Sequence, residues 1–134
     1  MSEKTRNVNY RKHKSDFCDS KLRGYKSASW KGNNKWYRFM APAGTRIPEK
    51  PPNYSNGSDG PCGTYHPGWL NGHHPKLPGQ LVKRKVCFTY SNYYRYRSNC
   101  PWSNYVKIRN CGKYFVYFLI QTNGCSMRFC AENK

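Results

Sequence analysis

The sequence predicts a mainly β fold: a small, disulfide-stapled antiparallel β domain with long Pro/Gly-rich loops and little helix. Three observations predict it. Apolar residues recur with a period of two in several segments, while no stretch of about ten residues carries helical spacing. Tracts rich in proline and glycine separate those segments. Seven cysteines are spread through 134 residues, a usage that favours an oxidising compartment and covalent staples. Aromatic residues, at 16% of the chain, replace aliphatic ones as core material, and each buries a large area.

Residues 1–15 (MSEKTRNVNYRKHKS) carry Lys4, Arg6, Arg11, Lys12 and Lys14 against Glu3 alone. They show no hydrophobic period and read as a flexible basic arm. Residues 16–131 then form the cysteine-rich β module, and 132–134 a tail. DSKLRGYKS (19–27) accommodates one short turn. NKWYRFM (34–40) alternates, with Trp36, Arg38 and Met40 on one face and Tyr37 and Phe39 on the other. APAGTRIPEKPPNYSNGSDGP (41–61) is a long irregular connection. PCGTYHPGWLNGHHP (61–75) reads as a proline-stiffened loop with Trp69 turned into the core. QLVKRKVCFTY (80–90) sets Val82, Arg84, Val86 and Phe88 on one face and Lys83 and Lys85 on the other; a buried Arg84 needs a partner and serves as a structural pin. YVKIR (105–109) aims Val106 and Ile108 inward and Lys107 outward. KYFVYFLI (113–120) is apolar on both faces, as in a central strand covered on each side. SMRFC (126–130) is a last short strand.

The loop at 61–75 also holds the ingredients of a zinc site: Cys62, His66, His73 and His74. The C-x3-H-x6-H-H spacing lacks the short paired knuckles of a structural zinc module. Adjacent histidines in an extended chain face opposite ways, so His73 and His74 make a poor pair for one ion. No metal and no cofactor is expected. Catalysis is not expected either. The carboxylates Glu3, Asp16, Asp19, Glu49, Asp59 and Glu132 fall in the arm, in loops or at the C-terminal end, and no phosphate-binding glycine loop or nucleophile elbow is present.

The charge balance, 24 Lys+Arg against 6 Asp+Glu, favours anionic partners. FTYSNYYRYRSNCPW (88–102) interleaves tyrosine with arginine, the types enriched at binding hot spots. Tyr93, Tyr94, Arg95, Tyr96 and Arg97, with Lys83 and Lys85, are the candidate ligand surface. Asn53 and Asn56 both satisfy the N-glycosylation sequon in an exposed loop. No run of about 18 apolar residues exists to span a membrane, and residues 1–11 have no apolar segment of a secretory signal. Choosing the odd cysteine and pairing the rest allows roughly a hundred connectivities among Cys18, Cys62, Cys87, Cys100, Cys111, Cys125 and Cys130. A pair formed by Cys125 and Cys130 would close only a short loop, contributing about 2 kcal/mol.

Set in order, Cys18-Asp19, Trp36-Tyr37-Arg38-Phe39, Ala43-Gly44-Thr45-Arg46-Ile47-Pro48, Cys62-Gly63-Thr64, Trp69-Leu70-Asn71-Gly72, His74-Pro75, Arg84-Lys85-Val86-Cys87-Phe88, Cys100, Cys111-Gly112, Tyr114-Phe115-Val116-Tyr117, Cys125 and Arg128-Phe129-Cys130 resemble the eight-cysteine extracellular module of uromodulin and related secreted glycoproteins, over about residues 17–131. The resemblance implies that Cys62 is a disulfide partner and that Trp69, Asn71 and His74 belong to a structural loop. It implies a secreted, non-catalytic interaction or adhesion module. Its partner would be an extracellular protein or glycan, anionic given the charge of this chain, recognised through Tyr/Arg loops and basic patches. One family cysteine is missing, since EKPPNYSNGSDGP holds none where the pattern has one. Its partner is left over, which explains the odd count and leaves a thiol for an intermolecular disulfide. The alternative is a nucleic-acid-binding protein that uses the basic arm and aromatic stacking.

Overall fold

A computed structural model of the chain describes residues 1–10, 18–19, 35–52, 61–89, 100–122, 124 and 127–134. The turn expected within 19–27 lies, apart from Asp19, outside the described residues. Six strands form one sheet: β1 (Lys35–Tyr37), β2 (His66–Asn71), β3 (Leu81–Phe88), β4 (Trp102–Asn110), β5 (Phe115–Leu119) and β6 (Met127–Phe129). Their spatial order is β1-β5-β4-β3-β2-β6. All neighbours run antiparallel except β2 and β6, which are parallel.

Alternation in β3 and β4 sets the two faces. Arg84↔Val106 and Val82↔Ile108 look inward, while Lys83↔Lys107 and Lys85↔Tyr105 look outward. Inside, Phe39, Ile47, Leu70, Val86, Phe88, Val106, Ile108, Tyr117, Leu119, Met127 and Phe129 make one core. Edge-to-face aromatic pairs run through it: Phe39 with Tyr117 at 5.4 Å between ring centroids and Phe88 with Phe129 at 5.6 Å. Arg84 is half-buried rather than buried, and its hydrogen bonds are exposed. Its Nε donates to the His73 carbonyl at 3.0 Å and ties the loop after β2 to β3.

Several expectations are corrected. The segment around Trp69 and Asn71 is not a loop but strand β2, with strands on both sides. Its prolines and glycines disguise it, and each has a local reason. Pro67 lies ahead of the ladder with β3, which begins at Gly68. Gly68 packs so closely that a Cβ there would meet the Arg128 carbonyl oxygen and the Phe88 ring at 2.9 Å. Trp69 is buried as expected, and its indole N–H donates to Thr89 Oγ1 at 2.6 Å. β5 is an interior strand with β1 and β4 on either side, as expected, but its outer face is only partly covered, by Trp36 against Phe118.

Residues 1–10 are not a free arm. Lys4–Arg6 form one 3-10 turn. Val8 N–H then donates to the Ala131 carbonyl and Ala131 N–H to the Arg6 carbonyl, so the segment extends the sheet beyond β6. Arg6 is fully buried. Its Nη2 and Nη1 donate to the two carboxylate oxygens of Asp19 at 2.7 and 2.9 Å, Nη1 also to the Phe129 carbonyl, and Nε to Glu3. The tail at 132–134 is likewise part of the fold: Glu132 bridges to Arg46, and Thr45 Oγ1 donates to the Lys134 carbonyl. Gly44 makes that approach possible. Its φ is +128°, and a Cβ would stand 2.7 Å from the Glu132 carbonyl oxygen.

Between described residues the staples are Cys62–Cys130 and Cys87–Cys100. Cys130 therefore takes Cys62 rather than Cys125, which lies outside the described residues. Cys18 is also disulfide-bonded. Cys111 is free and exposed.

Candidate functional site

The four candidate metal ligands of 61–75 part company. Cys62 is oxidised, and His66 packs edge-on against Trp102 with 4.8 Å between centroids. His73 and His74 diverge in burial, with side chains 82% and 3% exposed. Yet both reach one carboxylate, because Glu49 turns its two oxygens to the two Nδ1 atoms at 3.0 and 2.6 Å. Facing opposite ways does not, then, keep adjacent histidines off a shared partner. Among the described residues no group of three or more His, Cys, Asp or Glu converges as a metal site.

His74 continues the chain inward. Its Nε2 lies 2.7 Å from the Tyr117 hydroxyl, which accepts the Ile47 N–H at 3.2 Å. The consistent proton assignment has Tyr117 donating to Nε2 and Nδ1–H donating to Glu49. A neutral imidazole then satisfies every member. Burial holds His74 below its ordinary value, against the opposing pull of Glu49. Burial pushes Glu49 up, but the His74 N–H and both imidazoles overcome it and bring the carboxyl down to about 2. Tyr117 is wholly buried, so this Glu-His-Tyr relay is a clasp between the 47–49 segment and β5, not a nucleophile open to substrate.

Both shifts have the same sign for stability. The folded state binds fewer protons than the unfolded chain, so stability is full at neutral pH. It is lost as pH falls, first below the ordinary histidine value of 6.5 and then from 4.5 toward 2. Solvent screens the open side of the Glu49 carboxylate, which leaves its shift a contribution of about 1–2 kcal/mol. We expect the urea midpoint to rise between pH 3 and 7, and His74→Gln to flatten the upper part of that rise; a midpoint unchanged across the range would contradict the clasp.

The outer side of the sheet is a different kind of surface. β3 contributes Lys83 and Lys85, β4 contributes Tyr105, Lys107 and Arg109, and the β5 side contributes Tyr114 and Phe118. Trp36 and Arg38 come from β1 and its extension. Cations sit over rings throughout: the Arg38 guanidinium 3.8 Å from the centroid of Tyr114, Lys83 4.7 Å from Tyr105, and Lys107 5.8 Å from Phe118. Such contacts hold long side chains extended over the sheet. Lys83 stands directly opposite Lys107, a like-charge pair that costs stability.

No described carboxylate lies on this face. Glu3 and Asp19 pair with Arg6, Glu49 with the two histidines and Glu132 with Arg46. The outer cations therefore have no intramolecular counter-ion among the described residues. Lys83 and Lys85 are thus joined by Lys107, Arg38, Tyr105 and Tyr114, which sequence reasoning did not single out. Lys107 was read as pointing outward, but only the β3–β4 register reveals its neighbour. Tyr93, Tyr94, Arg95, Tyr96 and Arg97, like Asn53 and Asn56, lie outside the described residues. The Cys87–Cys100 bond lies at one end of this same face.

Residues 37–131 match the family of uromodulin-like domains. The "Pancreatic secretory granule membrane major glycoprotein GP2" of Rattus norvegicus is 35% identical over 122 residues, which is 88% of this chain and 19% of that protein. Its namesake in Canis lupus familiaris is 36% identical over 104 residues, 76% of this chain and 18% of that protein. "Uromodulin" of Rattus norvegicus is 29% identical over 116 residues, 86% of this chain and 15% of that protein. The chain thus spans about a fifth or less of the relatives it matches.

Proposed function

Since the chain belongs to the uromodulin-like domain family, we propose that it is an extracellular, non-catalytic recognition module that grips anionic glycans or acidic protein surfaces. Its disulfides and the relatives named as a secretory-granule glycoprotein support the extracellular setting. The anionic partner rests on one observation: the outer face sets Lys83 against Lys107, surrounds them with exposed aromatics, and offers them no described carboxylate. An arrangement that costs stability in the free protein is relieved by a polyanion. Rings and cations together suit sugars that carry sulfate or carboxylate groups. Exposed Cys111, at the turn between β4 and β5, is the thiol available for a disulfide to a second chain.

The test is the affinity of the intact protein for an immobilised sulfated polysaccharide, an acidic peptide and single-stranded nucleic acid at several salt concentrations. Replacing Lys83 and Lys107 with alanine should weaken polysaccharide binding about tenfold, since two exposed charge contacts are worth roughly 1–2 kcal/mol together. Unchanged affinity would exclude the outer face. Nucleic acid outbinding every glycan at physiological salt would select the nucleic-acid reading instead.

A further inference from the structure

Where the outer face reaches the turn between β4 and β5, it borders a cavity of about 110 Å³ lined by Thr45, Arg46, Lys113, Tyr114, Phe115 and Lys134, among others. This volume holds a few waters or one small polar group; a drug-sized molecule needs roughly 300 Å³ or more. The lining carries Arg46, Lys113 and Lys134, with Glu132 paired to Arg46, and backbone and hydroxyl contacts hold it in place. The backbone of Arg46 is bridged to Glu132, and Thr45 Oγ1 is tied to Lys134 on the facing side. Within the guanidinium of Arg46, Nε is buried without a hydrogen bond and stands 3.5 Å from Glu132 Oε1, beyond good hydrogen-bond length. Glu132 thus holds Arg46 as an ion pair without a hydrogen bond at Nε. Tyr114, 37% exposed, borders both cavity and outer face, and Arg38 stacked on its ring restrains it.

We infer that this cavity seats the acidic group of a single terminal sugar, carboxylate or sulfate, with the sugar ring resting on the exposed part of Tyr114. Arg46 supplies the planar fork that matches such a group, and Lys113 supplies a point charge at the rim. The inference deepens the anionic-ligand reading and rests on it for the class of partner. It adds that the chain reads the end of a glycan as well as its length.

The probes are the methyl glycosides of a uronic acid and of a sulfated hexose, the neutral methyl hexoside, and inorganic sulfate. Each is titrated against the intact protein while the Gly112 amide and Tyr114 ring resonances are followed by NMR. The acidic glycosides should give saturable shifts, the neutral glycoside none, and inorganic sulfate at least tenfold weaker binding. Arg46→Gln and, separately, the exposed Lys113→Ala should each weaken the acidic glycosides at least fivefold. Lys83→Ala/Lys107→Ala should leave them unchanged. Equal binding of inorganic sulfate, equal binding of the neutral glycoside, or indifference to Lys113→Ala would each overturn the inference. Polysaccharide binding that is absent from the intact protein, or unchanged by Lys83→Ala/Lys107→Ala, with the glycoside shifts intact would strike the functional reading alone; polysaccharide binding that meets its expectations without glycoside shifts would strike only the cavity.

Discussion

Replacing both Cys62 and Cys130 with alanine destabilises the protein by about 4 kcal/mol, the larger loss of the two bonds whose partners are both among the described residues. The bond spans 68 residues, and the chain-entropy cost of leaving that loop open is of this order; the Cys87–Cys100 bond, spanning 13 residues, is worth about 3 kcal/mol on the same basis. A domain of this size has roughly 5–15 kcal/mol in total. The Cys62–Cys130 bond also joins the entrance of β2 to the exit of β6, a parallel pair. A short hairpin turn cannot hold a parallel pair, so the covalent link supplies what chain proximity does not. Denaturant unfolding of the double variant with the other bonds intact is the measurement. A change below about 1 kcal/mol would mean that the β2–β6 pair stands without its staple.

Arg6→Ala should cost about 3–5 kcal/mol, because it strands a wholly buried Asp19 carboxylate. Burial by itself raises Asp19, but the Arg6 guanidinium and then the Arg128 charge prevail and hold it below the ordinary carboxylate range. Arg6 is held above its ordinary value by the reverse of the same pairing, against its own burial. Arg128, crowded by burial and by Arg6, is pushed down to about 10. It donates to Thr5 and to the Cys62 carbonyl. Asp19 Oδ2 also accepts the Phe129 N–H at 2.8 Å, so the carboxylate orders β6 as well as the N-terminal segment. The double variant Arg6→Met/Asp19→Leu should recover part of the loss, since it removes the stranded charge, though it leaves the Phe129 N–H without that acceptor. Hydrogen exchange reports the location: the Val8 and Ala131 amides should lose protection in Arg6→Ala before the β3–β4 amides do. Were residues 1–10 a detached arm, Arg6→Ala would be silent in both measurements.

Much of the sheet was legible because alternation is a local signal. The two faces of β3 and β4 follow residue by residue from QLVKRKVCF and YVKIR, and the structure extends β4 back to Trp102 without disturbing its period. β2 was hidden for the opposite reason. Proline and glycine mark turns when their neighbours are unknown, and here Gly68 is demanded by contacts with β3 and β6 that no local window contains. The N-terminal pin was equally illegible. Arg6 looks like any basic residue of an arm, and its partners lie 13 and 123 positions away. The outer face was half legible: Lys83 and Lys85 stand out within one strand, whereas Arg38, Tyr105, Lys107 and Tyr114 become a surface only when the register aligns four strands.

The sequence by itself determined the β class, the reliance on sulfur staples, and the shortage of carboxylates on which the anionic-partner proposal rests. Composition and period fix these, because they depend on residue types and on neighbours two positions apart. Only the tertiary structure decided that Cys111 is a free thiol, that the described carboxylates are consumed in internal pairs, and that Lys83 confronts Lys107. Those outcomes depend on which distant segments close on one another. Loop closure costs little more for a distant partner than for a near one, so the chain's spacing alone carries almost no information about them.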